Sequence, residues 1–367
     1  MSGSRGQQGG FTLAAVLLCA AICATAGVVP IAQDKPARRA QDKLDESNRR
    51  EGEALLHMAD AAMAGRPVPS DFAITWRNDF LKAQPGTFVP FTITIDRARV
   101  KAPMALMYIR AARRQGAATA VTKLETVRFA FDAIFPVELT AAVGEPIRIT
   151  RGFSVPAGAY DVYVAVRERP ADPLEQPGRS LRAAVLKQPL TVPDFWTGEL
   201  ATSTVMLADR IDPLPAPLAP DDLLEQPYVI GQNAVGVAAE SAFRRNRELI
   251  VVFLIYNPTV TPEKNFDVQV DYHLFRRGPG ADGAADGGDH PPARAGERYM
   301  SRTNPQRFTA ASMGARVDPA SGQPLLAGQG ILLSSFQDGE YRIGITVTDL
   351  LSRKSLSRDV TFTVVGS

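Results

Sequence analysis

The chain has 367 residues, 45% of them apolar, which is enough for two domains of ordinary size and excludes wholesale disorder. A formal charge of +2 provides no basic stripe of the kind nucleic acid requires. With 28 prolines and 29 glycines, the composition favours turns and extended segments over long helices.

The first elements are those of an exported chain. Arg5 is the sole charge before Asp34, and an apolar run, FTLAAVLLCAAICATAGVV, fills 11–29. Ala24-Thr25-Ala26 is a small-x-small cleavage pattern placed after its strongest part, so 1–26 reads as a signal peptide. Cleavage after Ala32 and retention as a membrane anchor are the alternatives. Cys19 and Cys23 both lie in this run, and neither has the small preceding residues of a lipid-attachment signal. The exported chain would hold no cysteine, hence no disulfide, thiolate nucleophile or cysteine-bound metal.

Residues 27–70 form a polar segment followed by a short helix. Leu55, Met58, Ala59, Ala62 and Met63 make one apolar stripe, which predicts a helix over about 40–64, stopped by Gly65 and Pro67. From Asp71 the period changes to two. TFVPFTITID at 87–96, MALMYIRAARR at 104–114, GAYDVYVAV at 158–166 and AVLKQPLTV at 184–192 read as strands, with KLETVRFAF and EPIRIT as weaker ones. Phe72, Ile74 and Trp76 share a face directed at the core, and Trp196 follows a strand end.

The second half repeats this order. ELIVVFLIYN at 248–257, FDVQVDYHLFRR at 266–277, GEYRIGITV at 339–347 and RDVTFTVV at 358–365 match the four main strands, down to paired arginines at the end of the second. Four matches in the same order predict an internal duplication. The expected fold is mainly β: two tandem immunoglobulin-like β-sandwiches, 71–195 and 228–367, with a short N-terminal helix and a proline-rich linker at 196–227. In such sandwiches a tyrosine near the start of the penultimate strand turns its hydroxyl onto upstream backbone. Gly158 with Tyr160, and Gly339 with Tyr341, are placed to form that corner twice.

From TSTVMLADRI through ELIVVFLIYN to GEYRIGITVTDLLSRKSLSRDVTFTV, the chain resembles the β-sandwich region of extracytoplasmic bacterial proteins that accompanies GWxTD and von Willebrand-A-related domains. The likeness covers about 197–367 and rests on a strand ending in Tyr-Asn, then Gly-x-Tyr, then Val-Thr-Asp. The GWxTD motif is absent. The resemblance implies an extracytoplasmic β-sandwich and supplies no catalytic residue.

Candidate chemistry is sparse. His57, His273 and His290 stand apart in sequence and read as surface or half-buried side chains, not a zinc site. Asp282, Asp286 and Asp289 in the glycine-rich stretch 278–296 match no calcium-loop spacing. No nucleophile elbow, phosphate loop or dinucleotide fingerprint occurs. Asp221 and Asp222 lie among prolines, away from any rigid cleft. The expectation is a secreted or periplasmic structural or protein-interaction module without cofactor, metal or enzymatic activity. Its expected partner is an envelope or extracellular protein, with cell-surface carbohydrate as the alternative, and membrane contact only through an uncleaved signal.

Overall fold

The computed structural model describes residues 35–366 apart from 85, 115–128, 171–180, 221, 279–290 and 315–316, with side chains from residue 46 onward. The expected signal segment, Cys19, Cys23, His290, Asp221 and the aspartates of the glycine-rich stretch lie outside the described residues. The architecture is mainly β.

Among the described residues the first unit has eight strands: β1 (Ile74–Asn78), β2 (Leu81–Lys82), β3 (Thr87–Ile95), β4 (Met104–Arg113), β5 (Phe131–Glu138), β6 (Ile147–Val155), β7 (Gly158–Arg169) and β8 (Ala183–Val192). One sheet has the order β1-β3-β2, with β6 along β3; the other has the order β5-β4-β7-β8. Alternation along each strand turns Val89, Phe91, Ile93 and Ile95 of β3 towards Met107 and Ile109 of β4 and Tyr160, Val162, Val164 and Val166 of β7. These buried residues form one core shared by the two sheets. Trp76 joins its margin, its ring stacked 4.3 Å from that of Phe91.

The second unit runs from β9 (Ala201–Thr202) and β10 (Met206–Pro213) through a hairpin, β11 (Val229–Ile230) and β12 (Asn233–Val237), to β13 (Ala242–Arg244) and β14 (Glu248–Tyr256). It continues with β15 (Asp267–Arg277), β16 (Glu297–Arg302), β17 (Gln306–Thr309), β18 (Leu325–Leu332), β19 (Gly339–Asp349) and β20 (Lys354–Val365). One sheet has the order β11-β12-β10-β14-β18 and the other β13-β20-β19-β15-β16, with β17 also on β15. They too enclose a single core, from Leu249 and Phe253 of β14 to Tyr341, Ile343 and Ile345 of β19 and Phe362 of β20. Residues 201–213 fall in the expected linker, of which 199–209 also reads as a strand of either unit, and they ladder onto β14 and β12. Their apolar residues Met206, Leu207 and Ala208 are buried, which outweighs the extended, unpaired conformation that the nearby prolines suggest.

The two units agree in register where it can be compared. Arg113 lies opposite Tyr160 and Arg276 opposite Tyr341. Gly158 faces Val192 and Tyr160 faces Leu190, while Gly339 faces Val364 and Tyr341 faces Phe362. Both glycines begin their strands at positive φ, +147° and +145°. A Cβ there would meet nothing closer than 3.7 Å, so backbone conformation, not crowding, is what calls for glycine. Gly339→Ala should therefore lower unfolding free energy by more than about 1 kcal/mol. Urea titration measures this; an unchanged midpoint would mean that the bend relaxes at no cost.

The N-terminal helix α1 (Lys35–Met63) is longer than its apolar stripe predicts. Arg49 pairs with Glu46 and Glu53, and Arg50 with Glu46, at helical spacing, which supports the exposed upstream part. Downstream, Leu55 and Ala59 are fully buried against Tyr108 and Ala165 on the outer face of the β4–β7 sheet. Asp60 pairs with the buried Arg110 at 2.5 Å, and Arg110 also donates to the Tyr108 hydroxyl at 2.7 Å. Among the described residues no helix is long and apolar enough to cross a membrane.

Candidate functional site

Tyr160 and Tyr341, the tyrosines expected at the corners, lie in the two cores. The Tyr160 hydroxyl donates to the Pro156 carbonyl at 2.8 Å and the Tyr341 hydroxyl to the Gln337 carbonyl at 2.7 Å. Each acceptor is four residues upstream, and both tyrosine rings are buried. The paired arginines noticed in sequence flank them: Arg113 donates to the Tyr160 hydroxyl at 3.3 Å, and Arg276 to the Asp338 carbonyl at 3.2 Å. Tyr341 also lines a cleft of about 290 Å³, beside Arg277, Arg294, Glu297 and Arg342.

A different set of residues forms a place where both units contribute side chains to an opening. The apolar half of this seam packs Phe80, Leu81, Phe88 and Phe195 on Met206, Val252, Leu254 and Tyr256, the outer face of the second unit's sheet. The polar half clasps the short segment around β2. The Phe80 amide donates to Thr204 Oγ1 at 2.9 Å and the Thr204 amide to the Phe80 carbonyl at 3.1 Å. The Lys82 amide donates to the Tyr256 hydroxyl at 3.0 Å, and Lys82 Nζ to Asn257 Oδ1 at 2.7 Å. Asn257, at φ +55°, also donates to the Phe195 and Glu199 carbonyls. The Tyr-Asn strand end that carried the sequence resemblance thus serves as the clasp between units.

Asp79 is buried in this seam and accepts from the Tyr228 hydroxyl at 2.6 Å. Burial raises its pKa above the ordinary value of 3.8, against the lowering pull of the Tyr228 hydrogen bond and of Arg77. A carboxyl whose folded pKa is raised binds its proton more tightly when folded, so it costs stability as pH rises from the ordinary value through the folded one. Asp79→Asn keeps an acceptor for Tyr228 and removes the buried charge. It should raise the melting temperature at neutral pH and leave it unchanged at pH below the ordinary carboxylate range. A variant that melts lower than the parent at neutral pH would show that the charge on Asp79 holds the seam.

Beside the clasp lies a cleft of about 330 Å³. Its floor is the outer face of the first unit's β1–β3–β6 sheet, where alternation presents Thr75, Arg77, Thr92, Thr94, Arg148 and Thr150. Its wall is the β11–β12 hairpin, with Tyr228, Val235 and Val237. Thr92 and Thr150 hydroxyls lie 3.0 Å apart. Arg77 donates across the cleft to the Ala238 carbonyl, and Arg148 reaches the exposed Glu240 at 3.3 Å. Hydroxyls and guanidinium groups suit hydrogen bonding to an anionic or hydroxylated surface group. The lining contains no nucleophile with an adjacent base and no carboxylate pair.

The described histidines are not brought together: His57 is exposed on α1, and His273 is buried on β15 beside Tyr299. His273 does sit on its strand's outer face, but it is buried there beside the Tyr299 ring, so it is not the surface residue that alternation suggests. Trp196 is exposed, donates to the Gly86 carbonyl at 2.8 Å and lies under Lys82 Nζ at 4.3 Å, next to the seam. Among the described residues no group of three or more His, Cys, Asp or Glu side chains is placed to hold a metal ion. No family model and no curated protein matches the chain.

Proposed function

We propose that the chain is an exported, non-enzymatic protein-interaction module made of two tandem immunoglobulin-like sandwiches related by internal duplication. The matched register about Tyr160 and Tyr341 supports the duplication, as does the shared order of strands from β3 to β8 and from β14 to β20. In both units the tyrosine strand is next to last and its hydroxyl turns back on upstream backbone, the arrangement of the tyrosine corner. The observation that carries the functional reading is the seam. Buried aromatics and paired hydrogen bonds fix the units against each other, so the cleft floor and wall form one preorganised surface, and preorganisation lowers the cost of binding. The lining offers recognition groups without a catalytic pair.

The partner of this reading is an envelope or extracellular protein that presents acceptor groups to Arg77, Arg148 and the threonines. Capture from envelope extract by the full chain, compared with Arg148→Glu, tests it. Arg148 is partly exposed and bonds only at the cleft rim, so the substitution should leave the fold intact and remove a specific captured protein. Capture unchanged by Arg148→Glu, or absent from both, would overturn the cleft as the binding surface. Carbohydrate binding calls for a row of exposed aromatic rings; Trp196 is one ring, and its indole nitrogen is already bonded to the Gly86 carbonyl.

A further inference from the structure

Among the described residues β18 is an edge strand, laddered to β14 alone. From Leu325 to Leu333, one residue past the strand's end, the sequence is LLAGQGILL, which reads almost the same in both directions about Gln329, with Ala327 and Ile331 the sole mismatch. It carries neither charge nor proline, the devices that keep open edges from pairing. Other long edge strands have them: Pro136 in β5, Arg148 in β6, Pro189 in β8 and Arg298 in β16. β18 also leaves Leu326 and Leu332 exposed, at 38% and 70%.

The direction of the free backbone groups follows from its neighbours. The Leu254 amide and carbonyl both bond to Ser203, on the side of β14 away from β18. Phe253, Val251 and Leu249 therefore point to β18 and bond Ala327, Gln329 and Ile331, their register partners. Leu326, Gly328, Gly330 and Leu332 then aim their amides and carbonyls outward. Consistent with this, the Gly328 carbonyl accepts from the Gln306 side chain and the Gly330 carbonyl from Gln329.

We propose that β18 pairs antiparallel with β18 of a second copy about a two-fold axis at Gln329, joining two sheets into one. A two-fold contact requires a surface complementary to itself, and a near-palindromic strand supplies it. In this register Gly328 opposes the partner's Gly330, and Leu326 opposes the partner's Leu332. All four outward-facing residues of each strand become bonded, about eight main-chain hydrogen bonds. Gln306 and Gln329 release their carbonyls to the incoming strand. The two glycines put no side chain of their own at the centre of the edge, where the Glu248 carboxylate lies against Gly330, and the exposed leucines cover each other at both ends. The inference deepens the reading of the chain as an interaction module by naming one partner, a second copy, on a surface apart from the cleft.

Sedimentation velocity of the full chain, in mild detergent that keeps residues 11–29 in solution, tests the pairing. The parent should shift from monomer to dimer as concentration rises. L326K/L332K sets introduced lysines opposite one another and should remain monomeric. L326K/L332E sets each lysine opposite a glutamate of the other copy and should recover the dimer, which a merely structural effect of altering the leucines does not explain. All changes are at exposed positions, and circular dichroism confirms folding. A parent that stays monomeric to about 1 mM, the weak end of specific association, overturns the proposal. So does a dimer indifferent to L326K/L332K, or a failure of L326K/L332E to recover it. A monomeric parent that still captures a protein through Arg148 sinks the self-pairing alone; a dimer that captures nothing sinks the cleft reading alone.

Discussion

Arg342→Ala is expected to destabilise the second unit by about 3–5 kcal/mol, the usual cost of leaving one member of a buried ion pair without its partner. Arg342 stands on β19 beside Tyr341 but faces the opposite side of the sheet. Its Nε donates to Glu297 Oε1 and Oε2 at 2.9 and 3.0 Å, and its Nη2 to Oε2 at 2.6 Å. Nη1 reaches Asp359 at 2.7 Å, and the guanidinium lies 3.9 Å from the centre of the Phe275 ring. The side chains of Arg342 and Glu297 are each 6% exposed, so solvent screens the pair little. Truncation to alanine leaves Glu297 buried, with the Arg294 amide at 3.1 Å as a remaining donor. The paired replacement Arg342→Met with Glu297→Met should cost far less than either single change, because no charge is left alone. Urea denaturation of Arg342→Ala, Arg342→Met, Glu297→Met and the methionine pair decides the matter. A loss below about 1 kcal/mol for Arg342→Ala would place the pair with ordinary surface bridges.

The same pair fixes a pH dependence. The Arg342 hydrogen bonds hold the Glu297 carboxyl below its ordinary value of 4.5, outweighing the upward push of burial. A depressed folded pKa contributes stability above the unfolded value, and that stability is lost as pH falls through the folded one. The gap between parent and Arg342→Ala should therefore narrow in acid. Asp79 has the opposite sign, so its substitution changes the neutral end of the profile and not the acid end.

These groups show what the sequence makes legible. β3, β4, β7 and β8, and their counterparts β14, β15, β19 and β20, alternate over eight or more residues with bulky apolar side chains, and period two reveals them. The strands between them are muted. β5 alternates through Phe131, Ala133, Phe135 and Val137 but is broken up by Pro136, β17 has four residues, and the middle of β18 is Gly-Gln-Gly, which leaves no apolar alternation to read in β18. The start of α1 carries no apolar stripe in its sequence from which to read a helix. The seam is hidden for another reason. Asp79 and Tyr228 are 149 residues apart, and Lys82 and Tyr256 are 174 apart, and neither has a local period that signals the other. The cleft threonines and arginines occupy outward positions of good strands, where polar residues ordinarily mean a solvated face.

Replacing Tyr341 by alanine is expected to cost roughly 3–5 kcal/mol, as other buried aromatic truncations do. The ring sits in the second core, stacked 5.3 Å from Phe362 at an interplanar angle of 19° and edge-on to Phe336 at 5.1 Å. Both contacts are lost with the ring, on top of its buried area. Tyr341→Phe keeps the ring and removes only the hydrogen bond to the Gln337 carbonyl. Gln337 is exposed, so water can take up that acceptor, and the cost should stay near 1 kcal/mol instead of the larger penalty of a sealed, unsatisfied group. Tyr160 has the same hydroxyl geometry, and its acceptor residue Pro156 is exposed too, but its ring has Arg113 at 5.7 Å in place of the aromatic pair. Tyr160→Ala should fall at the lower end of the same range. The two tyrosines belong to separate cores, so the double alanine variant should equal the sum of the singles to within about 0.5 kcal/mol. Chemical denaturation of the four variants measures each cost. A Tyr341→Phe loss as large as that of Tyr341→Ala would assign the stability to the hydroxyl and not the ring. A strong departure from additivity would mean that the seam carries the strain of one core into the other.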